Sequence, residues 1–245
     1  WVREAGQGAL ARQKQAAYNV KADQSPVTEA DLWVDGYLRE RLGAAFPQIR
    51  LLTEESGLGK AAGESCFALD PIDGTRSYMN GMPIWGVSLG LLADGLTRLG
   101  FFYMPAVDEF YLSNGEQAWL NGQSFAARIG DPRAPAAFLA VPSNAHLRYD
   151  FSARMVRSMG AVAAHFTYLA RGAALGVLAD GVYLWDLAGV LPLAAACGIT
   201  IEYLDGEEFH PSTYLDGSPI RRPLLAAYPQ HLAAVRGMIQ PKVSR

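Results

Sequence analysis

The sequence is poor in cysteine and contains no long apolar segment. Its 245 residues include two cysteines, Cys66 and Cys197, which match no zinc-binding spacing and do not indicate a disulfide framework. We expect two reduced, packed thiols, as is usual for a cytoplasmic protein. No apolar run approaches the ~18 residues that a membrane span needs, so no membrane partner is predicted.

Charge is also scarce, and neither sign dominates. Charged residues make up 18% of the chain, the net charge is −3, and no run of Lys or Arg stands out. A basic surface for a nucleic-acid polymer is therefore not expected. A small anionic ligand is compatible with this composition, because bound metal ions can supply positive charge locally. Since 50% of the residues are hydrophobic, the chain can bury the core of one large domain or of two packed halves.

Turn and periodicity signals divide the first half into helices and strands. A capping box at residues 28–31 predicts a helix that runs to about Gly43. Asp-Gly at 94–95 and Asn-Gly at 114–115 are typical of tight hairpin turns, so the strands around them are predicted to form an antiparallel sheet. The other predicted elements are a helix over 1–18, strands over 49–53, 67–69, 87–93, 96–104, 110–112 and 118–120, and a loop over 57–63.

A segment rich in proline and charge is the predicted junction between two halves. Residues 131–135 read Asp-Pro-Arg-Ala-Pro, so we expect one unit over 1–133 and a second over 134–245. Helices and strands interleave in both, which indicates α/β or α+β layers. In the second half the predicted strands cover 138–141, 182–185, 199–203 and 224–228, and the predicted helices cover 150–158, 162–178, 187–197 and the residues from 230 onward.

Residues 70–75 read Asp-Pro-Ile-Asp-Gly-Thr and follow a predicted buried strand. The proline fixes the turn, so that Asp70 and Asp73 lie on the same bend. Together with the carbonyl of Ile72, these carboxylates are oxygen ligands that suit a hard divalent cation such as Mg²⁺. Gly74 lets a ligand approach the backbone closely. A helix that begins at Thr75 would direct its amides toward a phosphate.

Each acidic residue also has a purely structural interpretation. The pattern Asp-x-x-Asp-Gly often forms an Asx turn that caps a helix. Asp31 stands where a capping box needs its acid, and Asp186 stands between a predicted strand and a predicted helix. Capping and ligand binding can coexist in one side chain, so both interpretations stay open.

Residues 70–75 resemble the Asp-Pro-Ile/Leu-Asp-Gly-Thr signature of the inositol monophosphatase superfamily. Three other segments are similar to family elements: Pro-Val-Thr-Glu-Ala-Asp at 26–31, Leu-Thr-Glu-Glu-Ser at 52–56 and Trp-Asp-Leu-Ala-Gly at 185–189. The resemblance implies an α/β (α+β) fold, a layered αβαβα sandwich. Its larger antiparallel sheet would lie in the N-terminal half and a smaller mixed sheet in the C-terminal half.

The resemblance also implies roles for individual residues. Thr75 and Asp31 would form a hydrogen-bonded pair that activates a water, and the amides of Gly74 and Thr75 would bind the phosphate. Glu54 would have a catalytic role through a third, weaker ion. Independently of the resemblance, the predicted loop residues 60–63 are a candidate flap over the metals. The implied ligands of two or three Mg²⁺ ions are Glu54, Asp70, Ile72 through its carbonyl, Asp73 and Asp186.

On the substrate side the sequence departs from the family pattern. Inositol phosphatases carry a Glu seven residues before the Asp of the Trp-Asp pair, and that position is Ala179 here, next to Asp180. The Gly-Ser/Thr-Ala element is represented by Gly160, Ala161 and a valine, so its hydroxyl is missing. Asp180, Gly160 and Ala161 are the candidate substrate contacts.

The sequence therefore predicts a Mg²⁺-dependent phosphomonoesterase for a small alcohol or sugar phosphate. By resemblance we also expect lithium sensitivity and a homodimer, with a small phosphorylated metabolite as the partner. Within the superfamily the alternatives are a 3'(2'),5'-bisphosphate nucleotidase and a histidinol-phosphatase. An alternative of another class is a catalytically weak regulatory protein that binds a phospholigand.

Overall fold

The computed structural model describes residues 1–15, 17–21, 25–59 and 65–242, so the flap predicted at 60–63 lies outside the described residues. The helices are α1 (Val2–Arg12), α2 (Glu29–Ala45), α3 (Thr75–Met79), α4 (Val162–Ala170), α5 (Leu184–Ala188), α6 (Leu191–Ala196) and α7 (Pro229–Gly237). Single 3₁₀ turns occupy Gln13–Gln15, Ala145–Leu147 and Pro211–Tyr214. No helix in these ranges is long and apolar enough to cross a membrane.

The strands follow the chain from a short N-terminal hairpin to the C-terminal edge. They are β1 (Tyr18–Val20), β2 (Pro26–Thr28), β3 (Arg50–Thr53), β4 (Gly57–Leu58), β5 (Cys66–Asp73), β6 (Gly86–Ala93), β7 (Leu96–Met104), β8 (Glu109–Ser113), β9 (Ala118–Leu120), β10 (Gln123–Ser124), β11 (Phe138–Ala140), β12 (Tyr149–Phe151), β13 (Val156–Arg157), β14 (Ala174–Ala179), β15 (Thr200–Tyr203), β16 (Leu224–Ala227) and β17 (Ile239–Pro241).

A large sheet of eight strands forms in the order β10-β9-β8-β7-β6-β5-β3-β4. All neighbours are antiparallel except β3 and β5, which run parallel. The β6–β7 hairpin turns at Asp94 and Gly95, whose φ angles are 53° and 75°, as the predicted two-residue turn requires. A smaller sheet of five strands, in the order β13-β11-β14-β16-β15, mixes parallel and antiparallel pairs.

Alternate residues of the large sheet face two different cores. Phe67 and Leu69 on β5 and Tyr103 on β7 pack with apolar residues of α1 and α2. Ala68, between the first two, packs on the opposite side with Trp185 of α5. Because successive side chains of a strand point to opposite faces, the large sheet is covered by helices on both.

The smaller sheet is covered in the same way. Phe138 and Val177 pack with the apolar faces of α4 and α6. Leu139 and Leu225 point to the other face, where they pack with Val235 of α7. The layers therefore run α1–α2, large sheet, α4–α6, small sheet, α7, and the predicted αβαβα sandwich is confirmed. The division at residues 133 and 134 stays a prediction.

Two helices predicted in the second half are wrong in whole or in part. Instead of a helix, residues 150–158 contain most of β12, which pairs with β17, and all of β13, at the edge of the smaller sheet, with non-helical chain between them. The helix predicted over 162–178 ends at Ala170; Gly172 takes a φ of 74°, and β14 follows with every residue buried. Pairing with distant strands overrides the helix propensity of its alanines, because a buried central strand needs apolar residues on both faces.

The predicted boundaries around Trp185 also shift. The strand predicted over 182–185 is an isolated bridge at Val182 followed by α5, and the helix predicted over 187–197 is divided into α5 and α6 at Gly189. The helix predicted over 1–18 ends at Arg12 and is followed by a 3₁₀ turn and β1.

Helix α5 lies against the large sheet with almost no space between the two backbones. A Cβ added to Gly90 on β6 would overlap the carbonyl oxygen of Ala188 and lie 2.5 Å from its carbonyl carbon. A Cβ on Gly189 would lie 2.6 Å from the carbonyl oxygen of Phe101. Glycine is therefore required on both sides of this contact.

We predict that Gly90→Ala lowers the free energy of unfolding by about 2 kcal/mol or more, because overpacking a rigid backbone contact costs about 1–3 kcal/mol. Gly43→Ala in α2 is the matched control: its Cβ would meet nothing within 4 Å, and alanine stabilises an exposed helix by about 1 kcal/mol. Urea unfolding of both variants measures the difference. Equal stability of the two variants would show that α5 does not pack this closely.

Candidate active site

Strand β5 delivers two carboxylates to one end of the large sheet. All of its residues are buried, and its pairing with β6 is interrupted between Asp70 and Asp73. The amide of Ile72 donates a hydrogen bond of 3.0 Å to Asp70 Oδ1, which is the Asx turn that the sequence left open. The bend therefore fixes the first carboxylate and brings the second to the same place.

Gly74 connects this bend to α3 and contacts the second half of the chain. Its φ of 91° is in the left-handed region, and a Cβ there would lie 3.0 Å from both the Gly160 carbonyl oxygen and the Ala161 Cβ. Only glycine meets both requirements. The two candidate substrate positions Gly160 and Ala161 are thereby placed directly beside the predicted phosphate-binding turn.

Asp73 links β5 to helix α4. Its carboxylate accepts hydrogen bonds from the amides of Val162, at 2.8 Å, and Ala163, at 2.7 Å, in the first turn of α4. These donors favour the charged form, but burial outweighs them and raises the pKa of Asp73 to about 7. The sequence carried no signal for this contact, since 89 residues separate Asp73 from Val162.

Asp186 and Glu54 complete the acidic cluster from two other segments. The amide of Tyr183 donates a hydrogen bond of 2.8 Å to Asp186 Oδ2 as α5 begins, so Asp186 does cap a helix. The amide of Glu54 donates to the carbonyl of Leu69, which extends the parallel β3–β5 pairing and brings Glu54 to the end of β5.

Lys21 is a partner that the sequence analysis missed. Its ammonium group lies 2.8 Å from Glu54 Oε1 and 2.7 Å from Glu55 Oε1. Burial acts to lower the pKa of Lys21, but the hydrogen bonds to both glutamates outweigh it and raise that pKa. Burial raises the pKa of Glu55 to about 7. No spacing rule could have linked Lys21 to Glu54 and Glu55, because they follow it in the sequence by 33 and 34 positions.

Thr75 and Asp31 form the predicted pair. The hydroxyl of Thr75 lies 3.3 Å from Asp31 Oδ1 and 3.2 Å from the carbonyl oxygen of Ile72, and its single proton can serve one of them at a time. Asp31 Oδ2 accepts a hydrogen bond of 2.8 Å from the amide of Thr28, so Asp31 also closes the capping box of α2. Burial raises the pKa of Asp31 to about 6.

These residues surround an open pocket of about 550 Å³. Asp31 does not line the pocket and reaches it through Thr75. The predicted site residues that line it are Glu54, Asp70, Ile72, Asp73, Gly74, Thr75, Gly160, Ala161, Asp180 and Asp186.

The carboxylates repel one another. Burial raises the pKa of Asp70 well above its usual range, and the nearby charges of Glu54 and Asp73 raise it further. Burial and the charge of Glu54 also raise the pKa of Asp186. The protein therefore balances only part of the negative charge of this cluster, chiefly through Lys21 at Glu54.

The donors fit a hard divalent cation in chemical type, because they are carboxylate and carbonyl oxygens without Cys or His. Across the described ranges, no group of three acidic, His or Cys side chains is arranged as a ready-made metal site. In this arrangement Glu54 is held by Lys21 and Asp73 by the amides of α4.

Asp180 is oriented by protein partners. Its Oδ2 accepts a hydrogen bond of 2.5 Å from the Tyr149 hydroxyl and lies 3.0 Å from an Arg148 nitrogen. Its side chain is 2% exposed, so it is not presented as a free carboxylate to a substrate. Its role as a substrate contact stays a prediction.

His165 is another group in the pocket wall that the sequence analysis did not assign. Its Nε2 accepts a hydrogen bond of 3.0 Å from the amide of Met159, next to Gly160. Burial lowers the pKa of His165 to about 4, so the ring is neutral and Nδ1 carries the proton.

Solved structures that resemble this chain share its fold. A Staphylococcal IMPase-I complexed with products superposes with a TM-score of 0.84 at 18% identity, covering 100% of this chain and 95% of that one. An IMPase/NADP phosphatase complexed with Mg²⁺ and phosphate gives 0.82 at 18% identity, with coverage of 100% and 95%.

Sequence relatives show the class of protein. A histidinol-phosphatase of Chlorobaculum parvum is 32% identical over 190 residues, covering 73% of this chain and 72% of the relative. Inositol monophosphatase 1 of Bos taurus is 26% identical over 213 residues, covering 77% and 76%. The Nus factor SuhB of Pasteurella multocida is 26% identical over 247 residues, covering 92% and 86%. The class is that of the phosphoric monoester hydrolases.

Within that class the family is defined by a match over nearly the whole chain. The model of the inositol monophosphatase family matches residues 2–240, and the chain belongs to this family. The resemblance inferred from four short segments is thereby confirmed.

We predict that the metal-free protein loses stability as the pH rises above about 6.5. Asp70, Asp73 and Asp186 have raised pKa values when folded, so their protonated forms stabilise the fold and are lost as the pH rises through those values. His165 does not contribute in this window, because its lowered pKa acts only below about 6.5.

Thermal unfolding in EDTA and in saturating MgCl₂ measures the effect. The midpoint should fall by about 3 °C or more in EDTA, the change that ~1 kcal/mol produces in a protein of this size, and much less in Mg²⁺. Asp186→Asn should flatten the EDTA curve. A midpoint in EDTA that rises with pH would contradict the prediction.

Proposed function

We propose that this protein is a Mg²⁺-dependent phosphomonoesterase that hydrolyses a small alcohol or sugar phosphate, as inositol monophosphatase does. The observation that carries the proposal is the convergence of four acidic side chains from three separate segments on one pocket with Gly74 and Thr75. A metal-assisted hydrolase needs such a cluster beside a site for the phosphate.

The acidic residues and one carbonyl would hold two or three Mg²⁺ ions. When bound, the ions would neutralise the cluster, screen the negative phosphate and lower the pKa of a water. The proposed ligands are Glu54, Asp70, the carbonyl of Ile72, Asp73 and Asp186, with Glu54 also contributing to the weaker third site.

Thr75 and Asp31 would handle the proton of the attacking water. The Thr75 oxygen can accept a hydrogen bond from the water while its own proton is directed to Asp31 Oδ1, 3.3 Å away. A pKa near 6 suits Asp31 to receive that proton near neutral pH. The amides of Gly74 and Thr75 would bind the phosphate at the start of α3.

The nature of the alcohol is the open part of the proposal. The missing hydroxyl at Ala161 and the engaged carboxylate of Asp180 weaken the case for inositol phosphate. Histidinol phosphate is the alternative favoured by the 32% identical relative, and a 3'(2'),5'-bisphosphate is a further alternative. Asp180, Gly160 and Ala161 are the proposed specificity positions. Two units over 1–133 and 134–245, a homodimer, inhibition by lithium and a cytoplasmic location belong to the same proposal.

A regulatory protein is the competing function. A relative named as a Nus factor matches 92% of this chain, so conservation of the fold does not require that the relatives share one role. Turnover separates the two, because a phospholigand-binding protein would bind phosphate with Mg²⁺ but release little from any ester.

We predict Mg²⁺-dependent phosphate release from at least one ester in a panel of polyol, histidinol and nucleotide phosphates. Excess EDTA should abolish the release, and LiCl should inhibit it more than NaCl. Asp186→Asn should lower kcat by about a hundredfold or more, because it removes a charged ligand from the reacting centre. Asp216→Asn, an exposed residue outside the pocket, is the control. Full activity in EDTA would contradict the proposal.

We predict that Thr75→Ala lowers kcat about a hundredfold with little change in KM, since proton transfer by a positioned group contributes about that much. Thr75→Ser keeps the hydroxyl and should retain most of the activity. Steady-state kinetics at saturating Mg²⁺ measures both. If Thr75→Ala stayed within threefold of the wild type, Thr75 would have no part in activating the water.

A further inference from the structure

The described lining of the pocket is mostly acidic in its charged groups. It includes Glu54, Asp70, Asp73 and Asp186. Asp180 also lines the pocket and is already paired with Arg148 and bonded to Tyr149. Among the described residues that line the pocket, Arg76 is the only Lys or Arg.

The guanidinium of Arg76 is not engaged by the protein. It forms no hydrogen bond, ion pair or ring contact within the described ranges, whereas Arg148 is paired with Asp180 and Arg39 with Asp35. An unpaired arginine is ordinary on an open surface. Arg76 differs because it stands in the wall of a concave site, one residue after the Gly74-Thr75 turn proposed to bind phosphate.

The backbone that carries Arg76 is rigidly held. Its carbonyl accepts hydrogen bonds from the Asn80 side chain, at 2.8 Å, and from the Asn80 amide, at 3.2 Å. Tyr78, two residues on, is fully buried, stacks edge-on against Trp85 and donates a hydrogen bond of 2.9 Å to the carbonyl of Ala9. The start of the guanidinium side chain is therefore fixed, while its end remains free.

We propose that Arg76 is a substrate-binding residue that takes an anionic oxygen group in this pocket. Phosphoryl and carboxylate oxygens match its planar donors in pairs. The group is either the reacting phosphate or a second anion on the alcohol part of the substrate. The inference rests on the proposed function for the identity of the pocket as a substrate site.

The test compares Arg76→Gln and Arg76→Lys with Arg98→Gln. Arg98 is an equally charged, exposed residue on β7 that pairs with Asp94 and does not line the pocket, so it controls for net charge. Binding of inorganic phosphate is measured by calorimetry in saturating Mg²⁺. Turnover is measured on adenosine 3',5'-bisphosphate, adenosine 3'-phosphate and glycerol 2-phosphate.

Contact with the reacting phosphate predicts about a tenfold or greater loss of phosphate affinity in Arg76→Gln, because a charge-assisted bond is worth that much. In Arg76→Gln the kcat/KM for all three esters should then fall by a similar factor, and Arg76→Lys should retain part of the wild-type kcat/KM. Contact with a second anion predicts that the affinity for inorganic phosphate is unchanged. A tenfold or greater loss of kcat/KM should then be confined to the bisphosphate. Phosphate affinity and all turnover within twofold of Arg98→Gln would overturn the inference.

The two proposals fail in different ways. Phosphate binding that depends on Arg76 without turnover of any ester would remove the hydrolase proposal and keep this one. Turnover of the esters at rates that Arg76→Gln leaves unchanged would overturn this inference and keep the hydrolase proposal.

Discussion

The arrangement of the site depends on the repulsion among carboxylates that the fold holds together. Each acid is oriented by fixed partners: an amide of the bend for Asp70, two amides of α4 for Asp73, the Tyr183 amide for Asp186 and Lys21 for Glu54. These partners offset only part of the charge, because the pKa values of Asp70, Asp73 and Asp186 stay raised. An oriented but uncompensated cluster is what a divalent cation would stabilise.

The hydrogen bonds that orient the acids also connect the large sheet to the helix that packs on the smaller sheet. Asp73 belongs to the large sheet, yet it caps a helix that packs on the smaller one. Gly74 contacts the loop before that helix through Gly160. The chemistry and the packing of the layers therefore share residues, so a substitution in this bend changes both.

Local chemistry in the sequence predicted what is local in the structure. The capping box of Asp31, the Asp94-Gly95 hairpin and the bend at Asp70 follow from turn and capping rules within a few residues. Structure that depends on pairing between distant segments was not predicted. Residues 174–179 look helical by composition, but they form the central strand of the smaller sheet. Lys21 was missed for the same reason, since its partners lie on another strand end. Spacing alone did not predict that Glu54 and Asp186 lie near Asp70 and Asp73. That prediction came from the resemblance to the family.

The close contact of α5 with the large sheet determines what fixes Asp186 in space. Gly90 and Gly189 allow main chain to touch main chain, so the helix that carries Asp186 is located by atoms common to every residue. The position of this acid is therefore determined in part by backbone contacts, in addition to the packing of apolar side chains nearby. A single methyl group at either glycine would displace the helix that carries it.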